Sequence, residues 1–334
     1  MSDGAPYVSV IVPTRGDPVK ILPLLDALAR QTLPRDRFEI LVSFDGAEPG
    51  PEVAGQLAAV GARAIHAAER RGPGAARNRA ARESTGEYLA FTEDDCLPAD
   101  DWLERAEARL VREPAIDVLE GTTVRPDGRP TRRPDPDRLH YLPTNLFIRR
   151  ALFEKVGGYC EEFYIPKRGV YFREDSDLGF TLEENGAVTA QEPSARVMHP
   201  FEHLSYFDPL RWARRYELDP LLQARHPDLF RERIEIHRLG PFTLRRLFVR
   251  ACFAYVIALG AALLALLCGD QGLAAAFVIV VVVAFLPIWA KWGFHPLRLP
   301  LLLIVPLGLT VAYARGILRQ PAAATPGPEG PGAA

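Results

Sequence analysis

Residues 7–95 alternate apolar runs with stretches of helical character, and this alternation limits the fold more than any other feature. The run "YVSVIVP" (7–13) is β-branched and apolar, and the segment after it places Leu24, Leu25 and Leu28 on one helical face. "FEILVSFD" (38–45), "ARAIHAA" (62–68) and "EYLAFTEDD" (87–95) read as further strands. Between them, "PEVAGQLAAVG" and "GAARNRAARESTG" (74–86) read as helices, the second stopped by Gly86 as a carboxy-terminal cap. Such a succession predicts an α/β fold: a mostly parallel sheet with right-handed crossovers and helices on both faces. Ligands on such sheets bind beyond the carboxyl ends of the strands. Those ends carry Pro13, Thr14 and Arg15, then Asp45, then Glu93, Asp94 and Asp95.

Three adjacent carboxylates repel one another, and a cation stabilises their ionised state. Mg²⁺ or Mn²⁺ suits them, because these hard ions take oxygen ligands from one or two carboxylates and from substrate phosphates. The alternative is that acids only terminate the strand or cap the following helix, "PADDWLERAEARL". That second role is the expectation for Asp100 and Asp101. The net charge of −2 lacks the basic excess of a nucleic-acid binder, so no nucleic-acid partner is expected. Cys96, Cys160, Cys252 and Cys268 have no CxxC or CxxH spacing, which argues against a disulfide framework or a zinc site.

Near residue 247 the composition changes. Apolar segments at roughly 251–268, 272–290 and 299–314 approach the length of about 20 residues that spans a bilayer as a helix. "AAAFVIVVVVAFLPIWA" has no polar face for a soluble helix to show to water. Arg238, Arg245, Arg246 and Arg250 precede the first segment, whereas the "GDQG" link after it has no positive charge. By the positive-inside rule the amino-terminal part faces the cytoplasm, on the inner membrane of the cell. The start, "MSDGAPYVSV", lacks the pattern of a signal peptide, in keeping with that orientation. Arg315 and Arg319 would lie outside if all three segments span, so the second and third could instead form a re-entrant or interfacial hairpin. The expected organisation is an α/β domain at 1–205, a basic juxtamembrane helical segment at 206–246, membrane helices at 247–319 and a disordered Pro/Gly/Ala-rich tail at 320–334.

Five motifs in order resemble those of the family-2 glycosyltransferases, which use the nucleotide-sugar-binding fold called GT-A. "VSVIVPTRGD" resembles the family's opening strand and nucleotide loop, and "ILVSFDG" its second strand. "GPGAARNRAARESTGEYLAFTEDD" is similar to the helix and strand that lead into the DxD metal motif. "TNLFIRRALFEKVGGYCEEF" resembles the segment lining the acceptor side, and "REDSDLGFTLEENG" the ED motif at a helix start. Arg15 stands where many members carry an aromatic residue or Asn, and the metal motif reads Glu-Asp-Asp.

The resemblance implies roles residue by residue. Pro13, Thr14, Arg15, Asp45, Arg77 and Asp94 would bind the nucleotide-sugar donor, Asp95 and His199 would hold Mn²⁺ or Mg²⁺, and Glu174 would orient the acceptor. Asp175 would be the base that takes the acceptor hydroxyl proton. A lone His is often structural, and acids such as Glu174, Asp175 and Asp177 also suit a helix first turn for dipole reasons. The implied activity is inverting, metal-dependent transfer of a sugar to a glycan or lipid-linked acceptor at the membrane, as in cell-surface polysaccharide biosynthesis. The cations of "LRWARRYELDPLLQARHPDLFRERIEIHR" would meet anionic membrane lipids. The charged stretch "RPDGRPTRRPDPDR" reads as a loop that either closes over the site or is inert, and His203 is a weaker ligand candidate than His199. Other readings are a processive polysaccharide synthase, for which the QxxRW sequence is missing, and a non-catalytic membrane protein that keeps the fold as a binding module.

Overall fold

A computed structural model describes residues 6–132, 138–201, 205–239 and 242–319. The tail 320–334, His203 and residues 133–137 of the charged loop lie outside the described residues. The chain divides into two compact units, Met1–His203 and Leu204–Ala334.

The first unit is an α/β domain. Its strands are β1 (Val8–Thr14), β2 (Phe38–Asp45), β3 (Arg63–Ala67), β4 (Tyr88–Phe91), β5 (Leu97–Pro98), β6 (Val118–Val124), β7 (Leu146–Arg149), the small pair β8 (Tyr164–Ile165) and β9 (Val170–Tyr171), and β10 (Thr189–Met198). Its helices are α1 (Pro18–Ala29), α2 (Pro51–Ala59), α3 (Pro73–Arg82), α4 (Trp102–Arg112), α5 (Arg150–Lys155) and α6 (Glu174–Glu184). The main sheet runs β3-β2-β1-β4-β7-β6-β10-β5. Pairs β1–β2, β1–β4, β2–β3 and β6–β10 are parallel, as the strand-helix alternation predicts. β7 is inserted antiparallel to both β4 and β6, and β5 runs antiparallel to β10.

Alternation along β1 divides its side chains between two cores. Val8, Val10 and Val12 meet Ile21, Leu24, Leu25 and Leu28 of α1 together with Trp102 and Leu103 of α4. Ile11 turns the other way, with Phe91, towards Ala80 and Ala81 of α3 and Leu178 and Leu182 of α6. Each fully buried aliphatic or aromatic side chain contributes about 1.5–3 kcal/mol, so β1 is held from both faces. The first core reaches the carboxyl-end rim at Phe44 and Cys96, and the second at Phe91, so the polar residues of the rim stand directly on packed side chains.

Three local expectations are corrected. Helix α3 ends at Arg82, and Gly86 is not its cap. Gly86 lies against β1: its N–H donates to Ser9 Oγ at 2.9 Å, and an added Cβ would come within 2.7 Å of the Ser9 nitrogen. Strand β4 closes at Phe91, so the carboxylates stand in the turn after the strand, closed by Cys96 N–H donating to Glu93 O at 3.1 Å. Asp101 makes no side-chain cap for α4; it pairs with Arg105 at 2.9 Å, and Asp100 pairs with Arg30 at 3.2 Å.

The second unit begins with α7 (Asp208–Arg215), α8 (Asp219–Arg225), the single turn α9 (Pro227–Leu229) and the strand pair β11 (Ile236–Leu239) and β12 (Phe242–Arg245). Helices α10 (Leu247–Leu267) and α11 (Gln271–Lys291) follow, each of 21 residues and with mean hydropathy of 2.2 and 2.8. At 1.5 Å per residue each is about 30 Å long, the thickness of a bilayer's hydrocarbon core. The third apolar segment contains α12 (Leu299–Leu302) and α13 (Val305–Arg319), and it is bent by 41° between Pro296–Leu302 and Val305–Arg319. That bend fits either a broken span or a re-entrant loop. Ala213 and Tyr216, from the basic segment, share one core with Val249, Cys252, Ile288, Val305 and Leu309. Gly316 permits this approach, because a Cβ there would lie 2.2 Å from the Glu217 carbonyl oxygen. Asp219 and Arg246 form a buried ion pair in the same unit.

Candidate active site

The rim is built by strand ends. Thr14, the last residue of β1, is buried, and its hydroxyl donates to Asp94 Oδ2 at 2.7 Å while accepting from Gly16 N–H at 2.9 Å. Pro13 is buried within the strand, whereas Arg15 projects exposed just beyond it. Asp45 ends β2 and accepts from the backbone N–H groups of Arg71 and Gly72 at 2.8 and 2.9 Å. Its carboxylate therefore ties the loop before α3 to the end of the strand. Gly72 has φ of 90°, and a Cβ there would stand 2.7 Å from the Tyr164 ring, so the loop needs a glycine at this point.

Ligand atoms of Glu93, Asp95, Cys96 and His199 lie within 4.8 Å of one another. The register of β6 with β10 delivers His199, whose N–H donates to Val124 O at 2.9 Å. Its Nδ1 donates to Pro200 O at 2.8 Å, and its Nε2 lies 3.6 Å from Glu93 and 3.9 Å from Asp95. A ring tethered at Nδ1 to a carbonyl, with Nε2 facing carboxylates, has the orientation of a metal-ligating histidine. Glu93 above all pushes His199 up to about 9. Burial pushes the Cys96 thiol well up, so it remains protonated and offers a hard divalent ion nothing. Two carboxylates and one imidazole thus offer three ligand atoms to a divalent metal ion. Asp94 stands apart from this group on Thr14, and burial pushes its carboxyl upward. Lys20, in the first turn of α1, reaches Asp95 Oδ2 at 2.9 Å.

Arg77 of α3, expected to face the nucleotide, is 1% exposed and lies between two carboxylates. It donates to Glu174 Oε1 at 3.0 Å and to Glu93 Oε1 at 3.2 Å, with its guanidinium 5.2 Å from the centroid of the Tyr159 ring. Asn78 fixes that tyrosine by exchanging two hydrogen bonds of 2.8 Å with the backbone of Tyr159. Glu174 is buried and points inward at Arg77. Burial pushes it up to about 7, with Arg77 opposing and Asp175 adding repulsion. Asp175, next along α6, is only partly buried; its Oδ1 accepts from Ser176 N–H at 2.7 Å. Asp177 is fully buried in the same turn. Asn145 of the "TNLF" segment is also fully buried, accepting from Trp102 Nε1 at 2.8 Å and donating to Ala195 O at 2.9 Å, so it fastens strands together.

Asp95, Glu93 and His199 therefore come together at one edge of the rim, Thr14 and Asp94 pair beside them, and Arg77 links the group to Glu174. Lys20, Asn78 and Tyr159 are not singled out by the sequence. Asn78 adjoins Arg77 and Tyr159 lies inside a quoted motif, but no local signal ties Lys20 to Asp95, 75 positions further on.

Residues 9–175 match Glycosyl transferase family 2. Glycosyltransferase AglE of Haloferax volcanii is 28% identical over 199 residues, 54% of this chain and 65% of that protein, so the match spans just under two thirds of the relative's length. Among solved structures, mannosyltransferase PcManGT from Pyrobaculum calidifontis in complex with GDP-Man and Mn²⁺ superposes with a TM-score of 0.53 at 19% identity, covering 94% of this chain and 87% of that one. The 1–349 portion of S. aureus TarS in complex with UDP gives a TM-score of 0.52 at 18% identity, covering 92% and 89%. The fold is the GT-A fold of these neighbours, and the chain belongs to glycosyl transferase family 2.

Proposed function

We propose that the chain is an inverting, metal-dependent glycosyltransferase that moves a sugar from a nucleoside-diphosphate donor to a hydroxyl of a membrane-associated glycan or lipid-linked acceptor. The observation that carries this reading is the grouping of Glu93, Asp95 and His199 beyond the strand ends, joined through Arg77 to the start of α6. Glu93, Asp95 and His199 would hold Mn²⁺ or Mg²⁺, which when bound supplies electrostatic stabilisation of the leaving diphosphate. Thr14, Arg15 and Asp94 line the donor side of the rim, and Asp45 shapes it by holding the loop at Arg71 and Gly72. Glu174 is fixed by Arg77, which leaves Asp175 as the partly exposed carboxylate of the ED pair.

Asp175 takes the acceptor hydroxyl proton as the acceptor oxygen bonds to the anomeric carbon. The bond from that carbon to the diphosphate breaks, and its electron pair leaves with the diphosphate. Attack from the face opposite the leaving group inverts the anomeric centre in a single displacement. The presence of GDP-Man and Mn²⁺ in one structural neighbour, and of UDP in another, supports the donor class.

Helices α10 and α11 would anchor the chain in the inner membrane with the catalytic unit on the cytoplasmic side. A screen of nucleotide sugars with Mn²⁺ or Mg²⁺, scoring donor hydrolysis and thermal stabilisation of the purified protein, tests the proposal. One donor should stand out and should require the metal; the reading fails if every donor leaves the protein unchanged.

A further inference from the structure

Asp95 has two cationic neighbours. Lys20 Nζ lies 2.9 Å from its Oδ2, and His199 Nε2 lies 3.9 Å from its Oδ1. An ammonium has no lone pair to offer a metal ion and, held at Oδ2, competes with that ion for the Asp95 carboxylate. The Lys20 side chain is 46% exposed and stands on a four-carbon stem in the first turn of α1, so it moves at small cost. Its helix starts just past the Thr14 turn, with Asp17 capping the Val19 N–H at 3.1 Å, so the released charge stays at the donor side of the rim.

We propose that Lys20 is a place-holding cation that pairs with Asp95 while the metal is absent and passes to the donor's diphosphate when the metal arrives. This inference rests on the metal reading given above. It adds a coupling: displacing Lys20 weakens uptake of the bare metal, and the diphosphate restores the lost ion pair. Metal and donor therefore bind better together than either does alone.

Calorimetric titration of the full-length protein in detergent tests this, first with MnCl₂ alone and then with UDP and with GDP at saturating Mn²⁺. Lys20→Met should bind Mn²⁺ about 3- to 5-fold more tightly than the wild type, the scale of a half-exposed ion pair. The same variant should bind the better of the two nucleotides about tenfold more weakly, because a charge-assisted contact is lost. Lys20→Arg should return both affinities towards wild type. Asp95→Asn should lose Mn²⁺ uptake, which checks the metal reading separately. If Mn²⁺ binds the wild type and not Asp95→Asn, yet Lys20→Met takes up Mn²⁺ with equal or lower affinity, the inference falls and the metal reading stands. Nucleotide affinities unchanged in Lys20→Met also overturn it. Absence of Mn²⁺ uptake by the wild type overturns both.

Discussion

Glu93 and Glu174 bind the same guanidinium, and their surroundings shift the two carboxyls in opposite directions. Partial burial pushes Glu93 upward, but His199, Arg77 and Lys20 outweigh it and hold the carboxyl below its usual range. Burial pushes Glu174 up to about 7 against the pull of Arg77, with Asp175 and Glu93 adding repulsion. At Glu93 the shared arginine is joined by His199 and Lys20 and the carboxyl is held low, whereas at Glu174 burial outweighs the same arginine and the carboxyl is raised. In the proposed reaction the turn after β4 holds cations, whereas the start of α6 handles a proton, and Arg77 keeps the two at a fixed spacing.

The largest expected effect breaks the strand-end side. Asp95→Ala should lower Mn²⁺ affinity by about 100-fold or more, since losing even an outer partner of a metal site costs 10–100-fold. Its melting temperature should remain near that of the wild type, because a rim carboxylate contributes little packing. Next is the helix side: Asp175→Asn keeps shape and hydrogen bonding but removes basicity, and the rate of transfer should fall about 100-fold or more.

Breaking the link comes third. Arg77→Lys cannot reach both carboxylates with one ammonium, and leaving one poorly paired should cost about 2 kcal/mol, seen as a drop of roughly 4–8 °C in Tm. The smallest effect is a pH slope. Below about 9 His199 carries a proton that a metal must displace, so Mn²⁺ affinity should rise by at most about tenfold per pH unit from 7 to 9 and level off above. His199→Gln should flatten that slope. A slope unchanged in this variant would place the released proton elsewhere.

Much of the fold was legible because its signals are local. Leu24, Leu25 and Leu28 share a helical face, and the alternation along β1 separates Val10 from Ile11 as observed. The family resemblance also pointed to Asp95, His199 and the ED pair, and the structure brings Glu93 and Asp95 to His199 across roughly a hundred positions. What could not be read depends on tertiary contacts. Arg77 meets Glu174 over 97 positions, and nothing local distinguishes a buried bridging arginine from one that faces a ligand. The antiparallel entry of β7 is likewise set by its neighbours, since "LFIR" reads as a strand in either direction.

The basic segment shows the same limit. Its charge suggested a stretch lying against anionic lipids, and nothing in that charge showed that Ala213 and Tyr216 lie in the core of the apolar helices. A chain cut after residue 203 should therefore be monodisperse in size-exclusion chromatography and still take up Mn²⁺, whereas a cut after 240 should aggregate by exposing that face. Equal behaviour of the two truncations would show that the segment does not need the apolar helices.

Nucleotide binding in the presence of Mn²⁺, measured by calorimetry on wild type, Asp95→Ala and Asp175→Asn side by side, tests the division of labour most directly. Asp175→Asn should bind UDP or GDP as the wild type does while transfer is lost, and Asp95→Ala should lose metal-dependent binding altogether. Equal losses of nucleotide affinity in both variants would contradict the separation of the two carboxylate groups, and with it the assignment of Asp175 as the base.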